Sequence, residues 1–290
     1  MATLATSGDG GSGAAAQPGL KDRTFFLIMA IAIVVTTVAG FLVQLAMGRS
    51  SFASPWWVHV HGITFMGWLI IYLAQNLLVA SNNLALHRRL GIFAACYVAW
   101  MVLVGVSVNT LSAINHRIPF FFHPNVFLVM DWLTVLLFAG LTWAGVRMRA
   151  RSDWHRRLML CAAVLIMLPG VGRLLPMPLL GEWHLWAMWL VMLVYLSVAF
   201  VYDLRTRGSI HPAYAWGFGA ITIAIAVMRP LAFTPPMLAL TARRMGRWFR
   251  ARRPGASRAG SAGYRRRSRR PRPASRHPPP GRAAPHSRRG

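Results

Sequence analysis

His59–Gly91, HVHGITFMGWLIIYLAQNLLVASNNLALHRRLG, decides what kind of molecule this is. Together with Trp56 and Trp57 before it, the run to Ala80 carries no Asp, Glu, Lys or Arg. A helix rises about 1.5 Å per residue, so such a run crosses roughly 30 Å of hydrocarbon. Only a helix satisfies its own backbone there, because isolated strands leave N–H and C=O groups bare in lipid. The stretch enters through histidines, carries polar side chains along its length and leaves through a His-Arg-Arg turn.

The rest of the chain repeats this pattern. An apolar run over 24–47 follows Lys21 and Arg23, and it is far longer than the apolar core of a cleaved leader. Further runs lie near 56–80, 90–114, 124–146, 156–176, 183–204 and 213–233. The expected fold is all-α, a polytopic membrane bundle of about seven transmembrane helices. Ser54-Pro55, His123-Pro124 and His211-Pro212 place proline near first turns. Pro230 and Pro235-Pro236 are expected to close the last span. Trp56, Trp57, Trp183, Trp186, Tyr202, Tyr214 and Trp216 sit at span ends, as an interfacial aromatic belt requires.

Composition agrees. Of 290 residues, 56% are hydrophobic and 13% charged, about half the charge of a soluble domain. Cys96 and Cys161 lie in apolar runs and read as small packing residues. The formal charge of +26 is unevenly spread. Residues 243–290 hold 17 arginines and no acid, whereas residues 1–242 hold 15 basic residues against 6 acids, a net +9. Three regions follow: a disordered Gly/Ala/Ser lead over 1–20, the seven-span domain over 21–240, and a disordered Arg/Pro-rich tail over 241–290. The tail's Arg, Pro, Ser, Ala and Gly vocabulary fits an out-of-frame extension of a GC-rich gene better than a nucleic-acid arm. Nucleic acid is therefore discounted as a partner.

Flanking charge orients the bundle. One side holds Lys21, Arg23, Arg88, Arg89, Arg147, Arg149, Arg151, Arg156, Arg157, Arg205 and Arg207. The other holds Arg49, Arg117, Arg173 and Arg229. The positive-inside rule then expects a cytoplasmic amino terminus in a bacterial inner membrane.

Several spans carry a polar stripe. His61, Phe65, Trp68, Tyr72 and Gln75 fall at helical spacing, with His59 pointing away from them. Gly105, Asn109, Ser112 and His116 form a second stripe. Asp131 lies two turns into the fourth span, where a carboxylate is costly unless neutral or paired. Arg173 is the basic residue at its level, so an Asp131–Arg173 interaction is expected, either a register-fixing ion pair or a proton or substrate site. Pro169-Gly170 stands where the fifth span would break.

The topology sorts histidines into two layers: His59, His61, His116, His123 and His184 on one side, His87, His155 and His211 on the other. Two layers of imidazole suit haem b ligation, with His61, His116, His184, His87 and His155 as the cofactor-binding candidates. Gln75, Asn109, Asp131 and Arg173 are the buried polar candidates.

LHRRLG (Leu86–Gly91) after VHVHG (Val58–Gly62), with WHRRLM (Trp154–Met159) and the PGVGRLLP that follows it, resembles an uncharacterised bacterial family of multi-span inner-membrane proteins. The resemblance spans roughly residues 21–235. It implies a small helical bundle and transfers no catalytic residues.

Phosphate loops, HExxH and GxSxG are absent, so the chain does not read as an enzyme of those classes. Three roles remain. The first is a redox or haem-associated protein using histidines at both faces. The second is a small-molecule or proton-coupled transporter using Asp131 and Arg173. The third is an assembly partner without chemistry, packed against lipid and another membrane protein.

Overall fold

The computed structural model describes residues 19–50 and 52–242. The expectations for the amino-terminal lead and for the tail from 243 fall outside the described residues. Within them the chain is helical and has no strand.

The helices are α1 (Leu20–Ala46), α2 (Trp56–Ala80), α3 (Leu84–Ile114), α4 (Pro124–Arg147), α5 (Ser152–Ile166), α6 (Leu168–Leu174), α7 (Met177–Leu180), α8 (His184–Arg207) and α9 (Pro212–Ala232). Among the described residues six are long and apolar enough to cross a membrane, and α5 with α6, bent by 43° at their junction, is either a seventh span broken in the middle or a re-entrant loop. The bend falls where Pro169, in the first turn of α6, has no N–H to give the preceding turn. Large apolar side chains such as Ile28, Ile63, Ile70, Leu103, Leu190 and Ile223 point outward. On a polytopic bundle of this length that outer coat is the lipid-facing surface.

Helix starts follow local chemistry. Asn83 caps α3 by accepting from the Leu86 N–H at 3.2 Å. The helix therefore begins at Leu84, six residues before the expected 90, and the His-Arg-Arg of LHRRLG lies in its first two turns rather than in a loop. His211 caps α9, its Nδ1 accepting from the Ala213 N–H at 3.1 Å. Pro235-Pro236 follows the end of α9 but does not stop the chain's helicity, since residues 235–242 are helical again, with Met237 and Thr241 buried.

α5 occupies the centre. Leu160 to Leu165 are all essentially inaccessible, and α4, α9 and α1 pack around this helix. Its second half, Leu158–Ile166, is apolar all round and belongs in such a position. Two glycine contacts let neighbours approach it. A methyl at Gly170 would lie 2.6 Å from Thr37 Cα, and one at Gly40 would lie 2.2 Å from Gly170 O, so α1 and α6 touch backbone to backbone. At Gly217 of α9 a methyl would sit 2.6 Å from Cys161 Sγ, which makes Cys161 a packing residue of the α5–α9 seam.

Two tyrosines clip α8 to α1. Tyr195 and Thr36 share a short hydroxyl contact. Tyr202 donates to Asp22 at 2.7 Å while stacking on Phe25 at 3.8 Å. His184, Met188, Tyr195 and Tyr202, at helical spacing along α8, thus lie on a face that turns inward.

Candidate functional site

Polar chemistry concentrates at two ends of the bundle, named here by the histidines that mark them.

At the His61 end, the α2 stripe faces inward. Trp68 and Tyr72 are buried, and Phe65 packs at Gly105 of α3 and Val135 of α4. His61 heads this face, its ring stacked on Phe65 at 4.3 Å, its Nδ1 buried without a hydrogen-bond partner. His59 instead reaches back to the carbonyls of Phe52 and Ser54 at 3.2 and 3.1 Å, closing the loop before α2. Arg173, one residue before the end of α6, lies with its guanidinium over the Phe41 ring at 4.0 Å and donates to Pro169 O at 2.7 Å. The Gln44 amide donates to the Arg173 carbonyl at 2.7 Å, tying this segment to α1.

The charge of Arg173 acts on both His61 and Asp131. Asp131 and Arg173 are expected to interact, and the charge of each is felt by the other. They do not form a contact ion pair, because the pairs within 4.0 Å among the described residues lie elsewhere. Both side chains are only partly buried, and they stand on different helices, Asp131 on α4 and Arg173 on α6. Asn125, on the first turn of α4, adds a fully buried amide with neither atom bonded.

The remaining candidates at this end do not join them. His116 is exposed in a left-handed turn after α3, with φ of 55°. His184 bonds Gly181 O through Nδ1 at 2.6 Å and packs against Phe122. Asn109 sits half-buried on α3.

At the other end, the two His-Arg-Arg motifs meet. His87 and His155 lie with ring centroids 6.3 Å apart and planes at 81°. Gln75 does not extend the His61 site; it belongs here. With its amide nitrogen turned toward His87, it donates to His87 Nδ1 at 2.6 Å and to His87 O at 3.1 Å, and accepts from the Gly91 N–H at 2.9 Å. His155 Nδ1 donates to Gly145 O at 2.8 Å.

Haem ligation needs a lone pair from each of two imidazoles facing one iron. His155 offers Nε2, but His87, accepting at Nδ1, carries its proton on Nε2. As placed, the pair thus presents one free lone pair, at His155 Nε2, and among the described residues no two histidines of the opposite layer are seen in ring contact. Among the described residues no group of three or more His, Cys, Asp or Glu is placed to hold a metal ion.

Sequence reasoning missed a network beside this pair. Arg157 and Asp203 form a fully buried two-point ion pair, with Nε donating to Oδ2 at 2.9 Å and Nη2 to Oδ1. Asp203 also accepts the His211 N–H at 3.1 Å. His211 Nε2 donates to Asp153 at 2.9 Å, and Arg156 pairs with Asp22 at 2.8 Å. Burial holds His211 below the usual histidine range, with Asp153 opposing and Arg157 reinforcing that shift. The available signal was the scarcity of acids: three of the six stand at span ends near the HRR motifs.

Comparison with protein-family models, with curated proteins and with solved structures finds no match for this chain.

Proposed function

We propose that this polytopic membrane protein is a carrier for a small polar solute, bound between α2, α4 and α6. One observation carries the proposal: His61 of α2 keeps a buried Nδ1 without a partner, while Arg173 of α6, whose charge acts on both His61 and Asp131 of α4, closes no contact ion pair with Asp131 within the bundle. Ionisable groups inside a membrane are expensive, and a purely structural pair would be expected to close. Arg173 also stands on the short half of the bent α5–α6 pair, and discontinuous helices are where membrane carriers place their sites. With one basic and one acidic side chain, this place suits a solute that presents both an acceptor and a donor.

The test is thermal unfolding of the detergent-purified protein against carboxylates, amines, zwitterionic amino acids and neutral polyols, followed by uptake of the stabilising class into proteoliposomes. At least one class should raise the unfolding midpoint of the wild type. Asp131→Asn and Arg173→Gln should weaken its apparent affinity by about tenfold or more, the loss of one charge-assisted contact. A stabilising solute whose affinity is unchanged in Asp131→Asn would overturn the assignment, as would a folded wild type to which no class binds.

A further inference from the structure

His87 and His155 are placed by different helices yet held in complementary states. Each is the fourth residue of its helix, α3 and α5, and each has its Nδ1 engaged by a defined partner. Gln75 gives a hydrogen to His87 Nδ1, so the neutral His87 ring carries its proton at Nε2. The Gly145 carbonyl can only accept, so His155 carries its proton at Nδ1 and keeps a lone pair at Nε2. One ring is a donor and the other an acceptor through the nitrogens that remain.

The surroundings decide what such a pair handles. The charged group acting on His87 from its own helix is Arg88; α5 presents His155, α2 presents Gln75, and α4 presents the Gly145 carbonyl. Arg89 and Arg156 follow in the two motifs, with Arg156 partnered by Asp22. Among the described residues no carboxylate bonds either imidazole, and a cationic setting with two neutral nitrogens is poor for a divalent ion. It suits a proton.

We propose that His87, His155 and Gln75 form a proton-transfer site at this end of the bundle. A proton from solvent adds to His87 Nδ1 as the Gln75 amide turns its oxygen to that nitrogen. The N–H bond at His87 Nε2 breaks, and that proton forms a new N–H bond at His155 Nε2. The single positive charge moves from one ring to the other, while His155 Nδ1–H stays on Gly145 O. A direct N–H···N bond of about 2.9 Å would bring the rings closer than 6.3 Å, so the transfer passes through one bridging water. The site does not rest on the proposed solute site, which lies toward the other end of α2: His61 and Gln75 are 14 residues apart, or about 21 Å along the helix.

The test is magic-angle-spinning NMR of the full chain, labelled with 15N-histidine, in lipid bilayers between about pH 8 and 4. Near neutrality the wild type should show His87 protonated at Nε2 and His155 at Nδ1. On acidification both signals should move together at one shared midpoint, because sites coupled by more than about 1 pK unit titrate as a pair. In Gln75→Met, His87 should change to the Nδ1–H form and the shared midpoint should split. Two rings both protonated at Nδ1 in the wild type, or independent midpoints there, would overturn the proposal without any variant needing to fold. Displacement of the Nε2 proton by micromolar Zn(II) added alone would also overturn it, in favour of a metal site.

Discussion

His211 shows how much one side chain does at the edge of this bundle. Its backbone N–H satisfies Asp203, its Nε2–H satisfies Asp153, and its Nδ1 caps α9. All three roles can coexist only while the ring is neutral, since a protonated Nδ1 cannot accept from Ala213. Burial depresses the folded-state pKa relative to the unfolded chain, so on acidification the unfolded chain binds the proton first. The stabilisation is present above the unfolded value, about 6.5, and is lost as the pH falls below it. Thermal unfolding in detergent should therefore show a midpoint that drops between about pH 7 and 5. His211→Asn, which retains a capping oxygen, should flatten that drop relative to wild type. An equal slope in both proteins would show that other groups set it. Arg157 is a second lesson at this scale. In the sequence it is one of eleven basic residues that orient the spans, whereas in the fold it is sealed against Asp203 and beneath Tyr214. Charge counting reads an arginine's side of the membrane and says nothing of its partner, because the partner, on α8, lies 46 residues away.

Among the elements, the most constrained meeting is that of α1 with α6. Gly40 and Gly170 stand backbone to backbone, and the bend between α5 and α6 brings α6 onto α1. Gly170→Ala should force Thr37 and its helix outward and destabilise the fold by about 1–3 kcal/mol, as overpacking of a filled interface does. The check is the thermal midpoint of the purified variant beside Gly172→Ala. A methyl at Gly172 meets only the tips of Met188 and Met177, so that change should be mild. Much at this scale was legible beforehand. The spans, the proline starts, the likeness of the α2 stripe to an inward face and the fragile point at Pro169-Gly170 all follow from spacing and backbone chemistry. Two things were not. Asn83 carries α3 six residues upstream of its apolar run, because a cap acts on N–H groups and leaves no hydropathy signal. Gln75 shares the stripe of His61 but serves the other end of the bundle, because a long helix can line two sites that periodicity alone treats as one.

For the whole molecule, the flanking arginines predict that the Lys21 side faces the cytoplasm. Single cysteines at Ser81 and at Ser54, in a Cys96→Ser, Cys161→Ala background, should react with an impermeant maleimide from opposite sides of intact cells and inverted vesicles. Labelling of Ser54→Cys from outside and of Ser81→Cys only in inverted vesicles is the expected result; the reverse would invert the topology. The candidate chemistry was only half legible at this scale. Histidines sort into two layers from sequence, but whether layers become pairs depends on which helices are neighbours, and that is a property of the packed bundle.

The position of α5 has a consequence for how the protein is made. The helix that lies at the centre is also the one that brings Asp153, His155, Arg156 and Arg157 into its first turns and Arg173 beyond its bend. Each charge costs roughly 2.5–3.5 kcal/mol at the middle of an isolated inserting helix and less toward the ends. As the ribosome delivers it, this segment is the poorest candidate of the seven to leave the translocon for lipid unaided. Asp22 and α4 have already emerged by then, but Asp203 and His211 have not. Its settlement is thus a late event of biogenesis, completed when α8 and α9 arrive with the groups that neutralise it.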